Sequence, residues 1–251
     1  MRGMFVKMIN CLSIYTKYFN KIGNAVIKQR RKAETVKTKL FSSIMAGSYI
    51  ALGALTYLSV SDPVAAALLF STGIFLVFNF CNMLFTKVCP LSVVTKEYKI
   101  IDCVIAWVGN GIGAFIVATL VHFTRMEGKI SEKLTSIGEV KLTDNPLSLY
   151  IMGFFCAVLV TYAVLIGLKY ATGSLPQIIF VWLFITAFVF CGFEHVVANM
   201  YYLFSYAWLN GIDVSALLIN LVCVTAGNIT GGLLIGYLEA PKVTKSVSLI
   251  K

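Results

Sequence analysis

The chain reads as a succession of long, uniformly apolar runs bounded by charges or proline: Leu40–Ser61, Pro63–Val94, Ile100–Phe123, Leu147–Leu168, Ile178–Asn210 and Ala216–Leu238. A helix needs roughly 20 apolar residues to cross a hydrocarbon core about 30 Å thick, whereas a barrel strand needs about ten alternating ones. The runs have the first length and lack the alternation. The pattern therefore predicts an all-α integral membrane protein with six transmembrane helices. The second and fifth runs reach roughly 32 and 33 residues, about 48 and 50 Å as straight helices at about 1.5 Å per residue, which overshoots one crossing. Both carry polar interruptions, Asn79, Asn82, Thr86, Lys87 and Pro90 in one and Glu194, His195 and Asn199 in the other. The economical reading is that helices 2 and 5 are broken near mid-membrane, each continuing as a second half-helix.

Composition strengthens this picture. Of 251 residues 59% are hydrophobic and 13% charged, against about 45–50% and about 25% in soluble domains. A nucleotide-hydrolysing or redox domain has no room, and neither a phosphate-binding loop, a catalytic triad nor a metal-ligand cluster is visible. No enzyme activity, cofactor or metal is expected. The seven cysteines are scattered without a C-x-x-C pair and read as buried small apolar residues. The first 39 residues lack the apolar core of a cleaved signal. Six spans put both tails on one side, where sixteen of the 21 basic residues gather, ten of them between Arg2 and Lys39. By the positive-inside rule both termini are cytoplasmic, in a multi-pass protein of the cell inner (plasma) membrane. The net charge of +10 is thus a topology signal and not a nucleic-acid footprint. The expected organisation is a basic cytoplasmic segment at 1–39, a six-span channel domain at 40–238 and a cytoplasmic tail at 239–251. Phe5, Met8, Ile9 and Leu12 have the spacing of an amphipathic helix lying on the inner leaflet; a plain basic tail is the alternative.

The halves resemble each other. Asn82-Met83 matches Asn199-Met200, and Gly109-Asn110 matches Gly227-Asn228, at offsets that agree within one residue. Three spans per half is an odd number, so the second half starts from the opposite side. The expectation is an inverted 3+3 repeat, halves about 40–123 and 147–238, with the working site where the two breaks meet. Glycine pairs four apart (Gly109 and Gly113, Gly227 and Gly231, Gly232 and Gly236) predict closely packed helices.

Candidate chemistry concentrates at the breaks. An ionisable residue at membrane depth is costly and usually faces a bundle interior or a cavity, which makes His195 a candidate pore residue. Its alternative is a neutral ring tying the broken helix to a facing carbonyl. Glu194 reads as structural, an N-cap or an inter-helix tie. At the Leu84-Phe85-Thr86 break, backbone groups lose helical partners, and Thr86 either donates to a substrate or caps its own backbone. A half-helix N-terminus favours an anion. His122, at the end of the third run, reads as an ordinary interfacial residue.

The string Gly192-Phe-Glu-His-Val-Val-Ala-Asn-Met200, the Leu84-Phe85-Thr86 break and the closing Gly227-Asn-Ile-Thr-Gly-Gly232 resemble the formate/nitrite transporter family over residues 40 to about 240. The resemblance implies an aquaporin-like fold in a homo-pentamer, each protomer holding its own pore for a small monovalent anion. It places pore and substrate roles on Thr86, His195, Lys141 and Asn199, with Lys141 facing outward, and hydrophobic constrictions on Ile74, Phe85 and Phe188. Lys87 and Cys89-Pro90 depart from the pattern of formate and nitrite members, and the connector from Thr124 to Asn145 looks short.

The function expected is a channel or transporter for formate, nitrite or hydrosulfide in a lipid bilayer. Lys141 would gather anions at the outer mouth, and a protonated His195 would donate to the substrate and couple flux to protons. The competing readings are a pore for small uncharged solutes and a non-transporting structural membrane subunit.

Overall fold

A computed structural model describes residues 35–94, 98–170, 174–211 and 213–249. The amphipathic reading at Phe5 to Leu12 lies outside them. Among the described residues all regular structure is helical: α1 (Val36–Leu58), α2 (Pro63–Asn79), α3 (Phe85–Val94), α4 (Ile100–His122), α5 (Met126–Thr143), α6 (Pro146–Lys169), α7 (Leu175–Phe190), α8 (Val196–Asn210) and α9 (Val214–Leu249). Four of them, α1, α4, α6 and α9, are long and apolar enough to cross a membrane, while α2 and α7 are apolar but shorter. α2 packs on α7, α4 on α8, α3 on both α4 and α9, and α6 on α9. One continuous apolar core joins them, fed by buried residues from α1 through α9.

Local chemistry explains where the helices start. Asp62 caps α2 by accepting the Ala65 N–H at 2.7 Å, and Asn145 caps α6 by accepting the Ser148 N–H at 2.9 Å; each is followed by a proline in the first turn. The ends of α2 and α7 are more telling, because they use one and the same device. Asn82 N–H bonds the Val77 carbonyl and Cys81 N–H the Phe78 carbonyl; Phe193 N–H bonds Phe188 and Gly192 N–H bonds Val189. This pair of bonds around a left-handed residue is a Schellman stop, with Cys81 at φ 56° and Gly192 at φ 69°. Neither α2 nor α7 runs on into its successor: residues 80–84 and 191–195 intervene.

The two turns pair segments other than those that the Asn-Met match pairs. The segments that correspond are 76–82 and 187–193. Asn82 therefore sits in the turn after α2, whereas Asn199 belongs to α8, and the Asn-Met match is a coincidence of letters. The connector from Thr124 to Asn145, expected to be a short loop, holds the helix α5, whose buried Ile130, Leu134, Gly138 and Lys141 recur every three or four residues along one face. α9 continues past residue 238, so the expected tail begins inside a helix. His122, at the α4–α5 corner, pairs with Glu127 and stacks on Trp208 with ring centroids 5.0 Å apart.

Two glycine pairs do act as close-packing sites. A Cβ on Gly113 would lie 2.1 Å from the Ile44 carbonyl oxygen of α1, and one on Gly227 would lie 2.2 Å from the Tyr150 carbonyl oxygen of α6. Gly232, by contrast, makes only ordinary contact with Pro90 at 3.5 Å. Gly227→Ala is accordingly expected to destabilise the detergent-solubilised protein by about 1–3 kcal/mol, the usual cost of overpacking. Gly128→Ala, where nothing lies within 4 Å, should be neutral or slightly stabilising in the same thermal-unfolding assay.

Candidate functional site

The first question at each interruption is where the backbone hydrogen bonds go, since an unpaired buried N–H or C=O costs about 1–3 kcal/mol. One asparagine answers it in each half. Asn110 of α4 accepts the Phe85 N–H at 2.8 Å and donates to the Met83 and Ser43 carbonyls at 3.0 and 2.7 Å. Asn228 of α9 accepts the Val196 N–H at 3.0 Å and donates to the Glu194 and Gly153 carbonyls at 2.9 and 2.8 Å. Both side chains are buried. Each amide thus spends one acceptor and two donors tying an interruption, the start of the next helix and a neighbouring helix together.

The two interruptions then meet. Thr86, in the first turn of α3, hydrogen-bonds His195 Nε2 at 2.9 Å, and His195 is the N-cap of α8, its Nδ1 accepting the Ala198 N–H at 3.2 Å. That cap assigns the tautomer: Nδ1 is the acceptor, so Nε2 carries the proton and donates to Thr86 Oγ1, leaving the threonine hydroxyl hydrogen free to donate in turn. The helix cap expected of Glu194 belongs instead to its neighbour. Two helix N-termini, each worth about half a positive charge, converge on this bridge.

Above His195 opens a cavity of about 210 Å³, lined among others by Tyr57, Phe70, Lys141, Phe188, Glu194 and Asn199. Phe188 stacks on His195 with centroids 5.7 Å apart, and Phe70 meets Phe188 edge-on at the same separation. Lys141, in the last turn of α5, donates to both Glu194 carboxylate oxygens at 2.7 and 2.8 Å, with both side chains about nine-tenths buried. Asn199 donates to Glu194 and to Asn220 Oδ1, and Asn220 donates to the Lys141 carbonyl at 2.8 Å. Lys141 is therefore a buried cation in the cavity wall, paired with a carboxylate. Glu194 ties α5 to the interruption before α8.

The structure brings Thr86, His195, Phe188, Lys141, Glu194 and Asn199 into one connected cluster. Phe85 and Ile74 are buried but do not line the cavity; Phe85 directly precedes Thr86 at the start of α3. Among the described residues no three His, Cys, Asp or Glu side chains are grouped to hold a metal.

The formate/nitrite transporter family model matches residues 16–239. The chain belongs to that family. A probable formate transporter of Methanothermobacter thermautotrophicus is 29% identical over 83% of this chain and 89% of its own length. The nitrite transporter NirC of Escherichia coli (strain K12) is 28% identical over 94% and 96%. Among solved structures, an FNT family ion channel superposes with TM-score 0.72 at 25% identity, covering 87% of this chain and 96% of that one. A pentameric formate channel with formate bound gives 0.70 at 22% identity over 83% and 97%. The aquaglyceroporin of Plasmodium falciparum gives 0.52 at 14% identity over 84% and 99%, so the fold is also aquaporin-like.

In this formate/nitrite transporter, the residues that sequence reading missed are Asn220, Phe70, Tyr57 and Tyr202 around the cavity, and the anchoring role of Asn110 and Asn228. The signal for the last two was present in the recurring Gly109-Asn110 and Gly227-Asn228, whose asparagines make like sets of hydrogen bonds. The buried pair yields a test. Lys141→Met strands the Glu194 charge and should destabilise the protein by about 3–5 kcal/mol, whereas the Lys141→Met/Glu194→Gln double variant should recover most of that loss. Thermal unfolding of the three proteins in detergent measures it; a double variant as unstable as the single one would contradict this account of the pair.

Proposed function

We propose that this chain is a pore-forming protomer which moves formate, nitrite or hydrosulfide across the plasma membrane and catalyses no reaction. Channel or transporter activity toward small anions follows from family membership; the path and its residues are our reading. The observation that carries it is the Thr86–His195 bridge, which joins the first turn of α3 to the N-cap of α8 beside a cavity that His195 lines.

On this reading α2 with α3, and α7 with α8, are the two interrupted spans of a six-span channel, and α1 to α4 and α6 to α9 are inverted halves. The matched Schellman stops and matched asparagine ties support the equivalence. Both termini face the cytoplasm, supported by the distribution of basic residues. The protomer works in a homo-pentamer, supported by the named pentameric relative. Residues 40–238 make the channel, with the basic N-terminal segment and the C-terminal tail outside the pore.

The anion meets its main obstacle in the apolar constriction of Ile74, Phe85 and Phe188, where a bare charge in low dielectric is prohibitive. Two helix N-termini offset negative charge there, and Thr86 offers its hydroxyl hydrogen while His195 holds it in place. Lys141, being paired, supplies field and hydrogen-bond geometry together with Glu194 and Asn199 more than net attraction. Protonating His195 on Nδ1 means releasing the Ala198 N–H and adding positive charge to a helix N-terminus, so proton coupling through this ring requires the first turn of α8 to yield.

Liposomes loaded with a pH-sensitive dye and challenged with formate, nitrite or hydrosulfide at two pH values test the proposal. The wild type should admit at least one of them. Thr86→Val, which keeps shape but removes the hydroxyl, should slow influx about tenfold, the equivalent of one lost hydrogen bond near 1.4 kcal/mol. His195→Leu should slow it at least as much and flatten the pH response. Equal influx in all three proteins would end the reading.

A further inference from the structure

Lys133 has no part in the His195 cluster, yet it belongs to α5, the helix that walls the cavity. Ser136, Ile137, Val140 and Lys141 of α5 line that cavity. Lys133 precedes Ser136 and Ile137 by three and four residues, which sets it on the same face one turn nearer the start of the helix. Ser136 and Val140 are exposed, whereas Phe188, His195 and Asn199 are buried. The cavity therefore opens along α5 and closes at the histidine, and Lys133 stands towards its open end.

α1 ends beside it, and the carbonyls of its last turn need partners. Ser59 takes two of them, its N–H bonding the Leu55 and Thr56 carbonyls at 3.0 and 3.2 Å and its hydroxyl donating to Leu55 at 2.7 Å. The next carbonyl, that of Tyr57, and the carbonyl of Val60 both accept from Lys133 Nζ at 2.8 Å. The same ammonium lies 4.0 Å from the centroid of the Tyr57 ring, inside the ~6 Å over which a cation and an aromatic face attract. One cation thus holds Tyr57 by its backbone and by its ring, and it offsets the negative end of the α1 dipole. Tyr57 is half-buried, lines the cavity and meets Tyr202 edge-on with centroids 6.4 Å apart. Lys141 Nζ lies 5.7 Å from the Tyr202 centroid, so two cavity tyrosines, from α1 and α8, are each held by a lysine of α5.

We propose that Lys133 is a positioning residue for transport: it holds the Tyr57 ring at the entrance of the cavity and so sets the size of the anion that enters. The inference rests on the transport reading above. A helix end whose carbonyls lose their partners frays, and a tyrosine in such a turn is free to change rotamer. With Lys133 in place the ring is a fixed wall. Without it the ring still offers apolar surface, but no longer at one place, and the entrance admits what it excluded. Discrimination here is by volume. Formate and nitrite are of like size, acetate carries one further carbon, and one carbon is worth roughly 10–200-fold to a shaped apolar pocket. The ring meets the anion; the lysine acts through the ring.

The test uses the full chain in liposomes and reads the initial influx of formate, nitrite and acetate for the wild type, Lys133→Met, Lys133→Arg and Tyr57→Ala. In Lys133→Met the ratio of acetate to formate influx should rise about tenfold, the lower end of what one carbon is worth, while the ratio of nitrite to formate stays constant. Lys133→Arg keeps a cation that can donate to both carbonyls and stack on the ring, and should restore the wild-type ratio. Tyr57→Ala should raise the ratio as Lys133→Met does, and the Lys133→Met/Tyr57→Ala double variant should raise it no further. A lysine that merely stabilised α1 would lower all three fluxes by one factor and leave the ratios alone, and that result overturns the proposal. So does a Lys133→Arg protein with the ratio of Lys133→Met. An unaltered ratio in Tyr57→Ala overturns it as well, and decides the matter should Lys133→Met fail to fold. A wild type that carried neither formate nor nitrite would refute the transport reading and the size filter with it, whereas a wild type that carries them beside variants of unchanged ratio refutes the size filter alone.

Discussion

The constraint on which the molecule turns is that hydrocarbon offers no water to an interrupted helix, so every backbone group released between helices needs a partner inside the protein. Asparagine suits the task. Its amide presents one acceptor and two donors within a short reach; aspartate lacks the donors and adds charge, and serine or threonine is limited to one donor hydrogen. The residue before each asparagine completes the device. A Cβ on Gly109 would meet the Ser43 side chain at 2.4 Å, and one on Gly227 would meet the Tyr150 carbonyl oxygen at 2.2 Å. The glycine lets the helix lie close enough for the next residue to bridge a neighbour (Ser43, Gly153) and an interruption (Met83, Glu194). Gly-Asn is a single unit: approach, then anchor.

Much of this was legible in the residues. Run length gave the helical class and the anomalous second and fifth runs, and the Gly-Phe-Glu-His string with its partners gave the family. The exact correspondence between the halves was not legible, because a Schellman stop is made of backbone dihedrals and carbonyls. Cys81 and Gly192 play one part and share no chemistry, while Asn82 and Asn199 share a letter and no part. α5 escaped because a search for apolar runs passes over a helix with only one buried stripe. The pairing of Lys141 with Glu194 was not legible, since the two lie 53 residues apart and only tertiary structure introduces them.

The two like turns carry unlike side chains, and the proposed pore roles fall on the positions that differ. The position before α3 is Leu84 where the position before α8 is His195, and Met83 stands where Glu194 stands. The threonine in the first turn of α3 corresponds to Val197. One half therefore supplies a hydroxyl and the other an imidazole and a carboxylate, from backbones built alike. On the proposed repeat, like backbone turns fix where the two segments meet, and the side chains at three positions decide what they present to each other.

The carboxylate explains why that divergence is tolerable. A lone Glu194 beside the cavity would be an uncompensated buried charge, repelling the anions this family carries and costing several kcal/mol. A lone Lys141 would hold an anion and release it slowly. Paired, with Asn199 and Asn220 satisfying further groups of the network, they leave the wall electrically near neutral. Conduction needs binding strong enough to admit an ion and weak enough to let it leave. A neutral His195 obeys the same logic: held by Ala198 on one nitrogen and presenting a proton to Thr86 on the other, it offers a hydrogen bond without a fixed charge.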